Sequence, residues 1–266
     1  MRDAVVTGTG DRIRWVELPG SDAPRVYVHG LGATAAAYFA EAASHPLIAG
    51  HRTLLVDLLG HGLSDRPHDF DYSLESHAGA LAAALAGAGV TRAEVIAHSM
   101  GGAVAIVLAD RHPELVSRLI LIDANLDPVV PARGALGSAG IAAYSETEFA
   151  DGGWEEVRER AGAFWWATMR LADRTALHRS AAGLARGTVP TVRELLVRLD
   201  IPRTFLYPEA DGPLPGEAGL REAGVSVVAV ADCGHNVMLE APEAFASLVA
   251  AALAAGSEPT CRLALP

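Results

Sequence analysis

Three side chains of this 266-residue sequence stand where acyl-transfer chemistry would need them. Ser99, in Ala97-His98-Ser99-Met100-Gly101-Gly102, follows an apolar run and precedes a stretch rich in small residues. At a tight strand-to-helix corner, small residues two positions either side leave room for the turn and lift the hydroxyl clear of the backbone. The same corner aims the Met100 amide, the first free one of the helix, at the space beside the hydroxyl, which supplies half an oxyanion hole. A hydroxyl nucleophile needs a base, and His235 in CGHNVMLE, after the last apolar run, is placed to serve. The acid that fixes the imidazole tautomer is expected at Asp211, in the turn YPEADGPLP, with Asp123 at the end of LILID as the competitor. His29-Gly30-Leu31-Gly32, behind an earlier apolar run, offers the Leu31 amide as the second oxyanion donor.

The same loop admits a rival assignment. Gly30, Gly32 and Ala35 fit a G-x-G-x-x-G/A phosphate loop, with Asp57 ending the next apolar run as a ribose-binding acid. Asp57 lies further along than the about 20 residues that such a motif uses, and a dinucleotide site would leave Ser99, Asp211 and His235 unrelated. The nucleophile is preferred. The glycines of TGTGD, at 7–11, are weaker still, because a strand rather than a helix follows them.

These residues need a scaffold that brings distant segments to one edge. Residues 4–7 and 12–18 alternate as a hairpin, and RVYV, at 25–28, is a third, fully apolar strand. Strand and helix then alternate: strands at 51–58, 93–98 and 117–123, helices at 74–88 and 100–111. Strands at 203–207 and 225–231, with helices at 215–223 and 237–255, complete the series. Apolar runs alternating with Ala-rich helices predict an α/β fold with a mostly parallel sheet, an antiparallel N-terminal hairpin and helices on both faces. Between Asp123 and Pro202 the alternation stops. The expected division is a core of 1–124 and 202–256, a helical cap of 125–201 and a tail of 257–266. Trp154, Trp165 and Trp166 fall in the cap, either packing helix on helix or lining an apolar pocket beneath it.

Composition narrows the chemistry. A net charge of −11 and a pI near 5.3 argue against a nucleic-acid partner, which would need clustered cations. Every basic residue is Arg, so Schiff-base, pyridoxal and Walker-loop chemistry lack their amine. Cys233 and Cys261 suit a reducing compartment, where buried thiols fill core space. MRDAVVTGTGDR has no apolar signal core, and the Ala-rich runs fall short of the ~20 residues that span a bilayer, so a cytoplasmic protein is expected. The histidines show no zinc-like spacing. No metal and no cofactor is expected, and the only partner implied is a small-molecule substrate; the oligomeric state is not legible.

Five ordered motifs together resemble the α/β-hydrolase superfamily, in its lidded serine-esterase branch, over nearly the whole chain. They are HGLG at 29–32, DLLGHGLSD at 57–65, AHSMGG at 97–102, LYPEAD at 206–211 and CGHNVMLEAPEAF at 233–245. The resemblance implies Ser99 as nucleophile, His235 as base, Asp211 as acid, Leu31 and Met100 as oxyanion amides, and a structural role for Asp57. Two departures stand out: Ala97 replaces the usual Gly, and Pro208 stands in a turn that normally contains Gly. The implied activity is hydrolysis of a carboxylic ester, thioester or lactone of a small, mainly apolar substrate through an acyl-enzyme. Carbon-carbon bond hydrolysis or cyclisation on the same residues, and ligand binding without turnover, are the alternatives. Ser rather than Asp at the corner argues against the epoxide hydrolases and haloalkane dehalogenases of the superfamily. Trp165, Trp166 and Met169 suggest an apolar or aromatic acyl group; Arg158, Arg160 and Arg170 would instead receive an anion, or are solvated helix faces.

Overall fold

A computed structural model describes residues 1–21 and 23–255. The tail expected at 257–266, with Cys261, lies outside the described residues. Eight strands form one sheet: β1 (Arg2–Val5), β2 (Arg12–Leu18), β3 (Arg25–Val28), β4 (Thr53–Asp57), β5 (Ala93–His98), β6 (Val116–Ile122), β7 (Arg203–Pro208) and β8 (Ser226–Val230). Their order is β1-β2-β4-β3-β5-β6-β7-β8. β2 runs antiparallel to β1 and β4, and every later pair is parallel.

Side-chain alternation explains why the central strands read as unbroken apolar runs. Val26, Val28, Leu54, Val56, Val95 and Ala97 point to one face, with Leu119 and Leu121, and join one buried cluster. Tyr27, Leu55, Ile96, Ile120, Ile122 and Leu206 point to the other face and join a second. Both faces are apolar because both are covered by helices. On the second face lie α1 (Ala35–Ser44), which sequence periodicity had not singled out, and the C-terminal pair described below. The first face carries α2 (Leu74–Gly87) and α3 (Met100–Arg111).

Between β6 and β7 the chain forms α4 (Gly137–Ala142), α5 (Glu146–Glu148), a π turn at Phe149–Gly153, α6 (Trp154–Arg160), α7 (Ala163–Met169), α8 (Arg174–Arg186) and α9 (Val192–Arg198). α8 is fastened to the sheet side of the molecule. Asp173 N–H donates to Gly60 O at 2.8 Å, Arg66 donates to Leu171 O at 2.7 Å, and Arg179 donates to His68 O at 2.7 Å. After β7 come a 3₁₀ turn (Glu209–Asp211) and α10 (Glu217–Glu222). The helix expected over 237–255 is in fact two, α11 (Val237–Glu240) and α12 (Pro242–Ala254). Pro242 lacks an N–H and forces Ala241 out of the helical region, to φ −134° and ψ 59°.

Parallel pairing aligns the ends that matter. Val28 sits beside Ala97, His98 beside Ile122, and Ile122 beside Leu206. The residues that follow, Gly30-Leu31, Ser99 and Asp123, therefore emerge along one edge. Among the described residues no helix is long and apolar enough to cross a membrane.

Beneath the edge, α3 lies against β3 so closely that a Cβ on Gly101 would collide with the His29 carbonyl oxygen, and one on Gly102 with Ala124. Gly101→Ala must therefore push helix from strand, at a cost of about 2 kcal/mol. We expect a lower urea midpoint with an unchanged m-value; an unchanged midpoint would mean that the helix yields freely. Nearby, His29, His61 and His77 are fully buried and lie in a row with tilted rings, centroids 5.1 Å and 6.3 Å apart. Burial pushes their pKa values down to about 4, 3 and 3. A histidine whose folded pKa lies below its unfolded value costs nothing above pH 6.5, but the unfolded chain gains protons as pH falls below it. Stability should therefore drop from pH 6.5 downward, with each histidine adding up to about 1.4 kcal/mol per pH unit. Urea midpoints between pH 7.5 and pH 5 check this, and a flat profile would show that these imidazoles stay open to water.

Candidate active site

Ser99 joins β5 to α3 at φ 52° and ψ −122°, a left-handed conformation that a non-glycine residue adopts only under constraint. Its side chain does not cap the helix. The hydroxyl instead donates to Asn125 Oδ1 at 3.4 Å. Gly101 and Gly102 let the helix start this close, and the residue two before the serine, Ala97, is fully buried.

The amides proposed as oxyanion donors flank this hydroxyl. Met100 is the first residue of α3, so its N–H points out of the helix with the positive end of the dipole. Leu31 is aimed by its neighbour. Gly30 O accepts from His29 Nδ1 at 2.7 Å and from Ala33 N–H at 3.1 Å, which draws that carbonyl toward the core. In a trans peptide the Leu31 N–H then faces the opposite way. His29 Nε2 accepts from Leu58 N–H at 3.0 Å, so its proton is fixed on Nδ1. Neither the Leu31 nor the Met100 amide has a protein acceptor among the described residues.

His235 follows β8 and directs Nδ1 at Asp123 Oδ2, 2.6 Å away. The imidazole thus pairs with Asp123, the competitor in the sequence, and not with Asp211. Asp211 is exposed in the 3₁₀ turn after β7 and makes no hydrogen bond with His235. Asp123 directly follows β6, the strand beside β5, and turns at φ 42°, a left-handed conformation that Asp tolerates better than most residues. That turn brings its carboxylate to the imidazole, and Pro208, which opens the 3₁₀ turn, stiffens the rival segment. His235 is not hydrogen-bonded to Ser99, although both line one cavity. Its loop is anchored by His98, whose Nε2 donates to His235 O at 3.0 Å. Burial holds the His98 pKa well below the usual value, so the anchor is neutral.

The cavity measures about 590 Å³. Leu31, Ala33, Tyr38, Val129, Leu136, Phe164 and Trp165 form its apolar wall; Asn125, Ser138 and Asn236 add neutral polar groups. Of the three tryptophans singled out by sequence, Trp165 lines the cavity, whereas Trp154 and Trp166 pack on each other at 5.5 Å. Arg158 lies over Trp166, Arg160 donates to Tyr144, and Arg170 donates to Ala167 O; none of the three reaches the cavity. Asp57 sits under the oxyanion loop and accepts from Ala35 N–H at 2.8 Å and Leu63 N–H at 3.0 Å. Sequence reasoning missed Asn125, Tyr38 and Phe164. Asn125 was the one with a signal, since it follows the same strand end as Asp123 by two positions.

Comparison with known proteins agrees with the fold. Residues 26–141 match the family model for the alpha/beta hydrolase fold. An uncharacterized Mycobacterium tuberculosis protein is 35% identical over 113 residues, which span 42% of this chain but only 32% of that protein. A 2-hydroxy-6-oxo-2,4-heptadienoate hydrolase from Pseudomonas putida is 34% identical over 106 residues, 40% of this chain and 38% of the enzyme. In structure, an esterase from Exiguobacterium antarcticum superposes with a TM-score of 0.76 at 22% identity, covering 95% of this chain and 100% of its own. Strand order, the strained serine corner and these likenesses agree on the α/β-hydrolase fold for this chain.

Proposed function

We propose that the protein is a serine hydrolase that cleaves uncharged carboxylic esters, thioesters or lactones through an acyl-enzyme on Ser99. The observation that carries this reading is the convergence of Ser99, the Asp123–His235 pair and the Leu31 loop on one apolar cavity. In the cycle, the Ser99 hydroxyl leaves Asn125 and gives its proton to His235 Nε2 as the oxygen attacks the substrate carbonyl. Asp123 holds the opposite ring nitrogen and stabilises the imidazolium. The oxyanion accepts from the Leu31 and Met100 amides, which need no reorganisation when charge develops. His235 then protonates the leaving alcohol, and water, activated by the same imidazole, releases the acid. The helices of residues 125–201 act as a lid that supplies the cavity's upper wall.

The carbon-carbon reading draws on the Pseudomonas relative, whose named substrate is a dienoate and so carries a carboxylate. Burying a carboxylate demands a cation. Among the described residues no Arg lines this cavity, and Asn125, Ser138 and Asn236 add neutral polar groups beside His98, Ser99 and His235, which suits neutral esters.

p-Nitrophenyl esters from acetate to long acyl chains test the proposal. Ser99→Ala should lower kcat about 10³-fold or more, and Asp123→Asn should approach 10⁴-fold by leaving the imidazole in the wrong tautomer. Asp211→Asn should stay within about threefold of wild type, as expected for an exposed carboxylate outside the hydrogen-bonded pair. Loss carried by Asp211→Asn instead would return the acid to β7, and equal rates for wild type and Ser99→Ala would refute the serine mechanism.

A further inference from the structure

Leu31 lies between two peptide units, and they are held from opposite sides. His29 holds the 30–31 unit from the core, as described. The 31–32 unit is held from the helical segment above: Trp165 Nε1 donates to Leu31 O at 3.0 Å. The contact is close as well as polar. Gly32 sits at φ 67°, and a Cβ there would lie 2.8 Å from Trp165 Nε1, 3.2 Å from Met169 Cγ and 3.3 Å from Leu177 Cδ1. Glycine is thus required both by the turn and by the helices resting on it.

Trp165 has a second face. With Phe164 it lines the cavity that the acyl group would occupy, and Phe164 packs edge-on against Tyr38, also in the lining, at 5.2 Å. One indole therefore touches the substrate space and holds the backbone on which an oxyanion would rest.

We propose that Trp165 is a positioning residue for the oxyanion hole, coupling occupancy of the acyl cavity to the orientation of the Leu31 peptide. This inference rests on the acyl-transfer reading of Ser99. An acyl group that fills the cavity presses on the indole and steadies its N–H on Leu31 O, so binding energy from a remote part of the substrate is realised as charge stabilisation in the transition state. Larger acyl groups should then raise kcat, and not merely lower KM. A tryptophan that only filled space would show its effect in stability and KM.

The decisive variant replaces Trp165 with 3-benzothienylalanine, which keeps the shape of indole and has no N–H. Two measurements follow. Backbone hydrogen exchange of the segment 29–34 reads the grip without any reaction, and should quicken about tenfold as a protecting contact is lost. On the p-nitrophenyl series, kcat should fall about tenfold for the best acyl chain while KM stays within about twofold, and the rise of kcat with chain length should flatten. Trp165→Phe should reproduce the kcat loss. If exchange and kcat both match wild type, the indole N–H holds nothing that catalysis uses, and the proposal is overturned. Should Ser99→Ala equal wild type on these esters, the acyl-transfer reading fails on its own, and unchanged exchange would still overturn the grip of Trp165 on the loop.

Discussion

A serine forced into a left-handed turn is the constraint on which the rest of the structure depends. Ser99 at φ 52° costs roughly 1–3 kcal/mol, and such a conformation persists only where its surroundings over-determine it. β5 enters the turn between β3 and β6, both parallel to it and in register. Its exit is set by α3, seated against the end of β3 through Gly101 and against Ala124 through Gly102. Ser99 N–H donates to Ile122 O, and Ser99 O accepts from the Gly102 and Ala103 amides in the first turn of the helix. The hydroxyl is left free for chemistry because the backbone has taken on the work of closing the corner.

From that corner the other groups follow by adjacency. β3 on one side delivers the Leu31 loop, and β6 on the other delivers Asp123, so the proposed oxyanion donor, nucleophile and acid come from three neighbouring strands. His235 arrives from β8, two strands further out, and is brought in by Asp123 and by the neutral His98 ring. Buried uncharged histidines recur on the inner side of the loop, where His29 and His61 pack against each other, and give it hydrogen-bonding rigidity without placing a charge in the core.

How much of this was legible in the sequence varied with how local the signal was. β5 and α3 were readable to the residue, because an apolar run, a serine and a small-residue helix follow one another without a gap. The break at Pro242 had a signal that the Ala-rich helical pattern after it outweighed. The acid was a different problem. Asp123 and Asp211 both follow strands on the same edge, and motif resemblance favoured Asp211; the choice turned on a left-handed backbone at Asp123, which spacing does not encode. The cavity wall was less legible still. Which of Trp154, Trp165 and Trp166 faces the substrate space depends on how α6, α7 and α8 pack, and adjacent residues on one short helix end up with opposite roles.

The central claim is that Ser99 is a nucleophile activated in place. Covalent labelling tests it most directly. The protein would be treated with an uncharged alkyl fluorophosphonate, which reacts with activated serines and mimics the tetrahedral intermediate, and the adduct located by peptide mass mapping. A single stoichiometric adduct is expected on Ser99, absent from Ser99→Ala and formed far more slowly in Asp123→Asn. No adduct on Ser99, or an adduct on another residue, would contradict it.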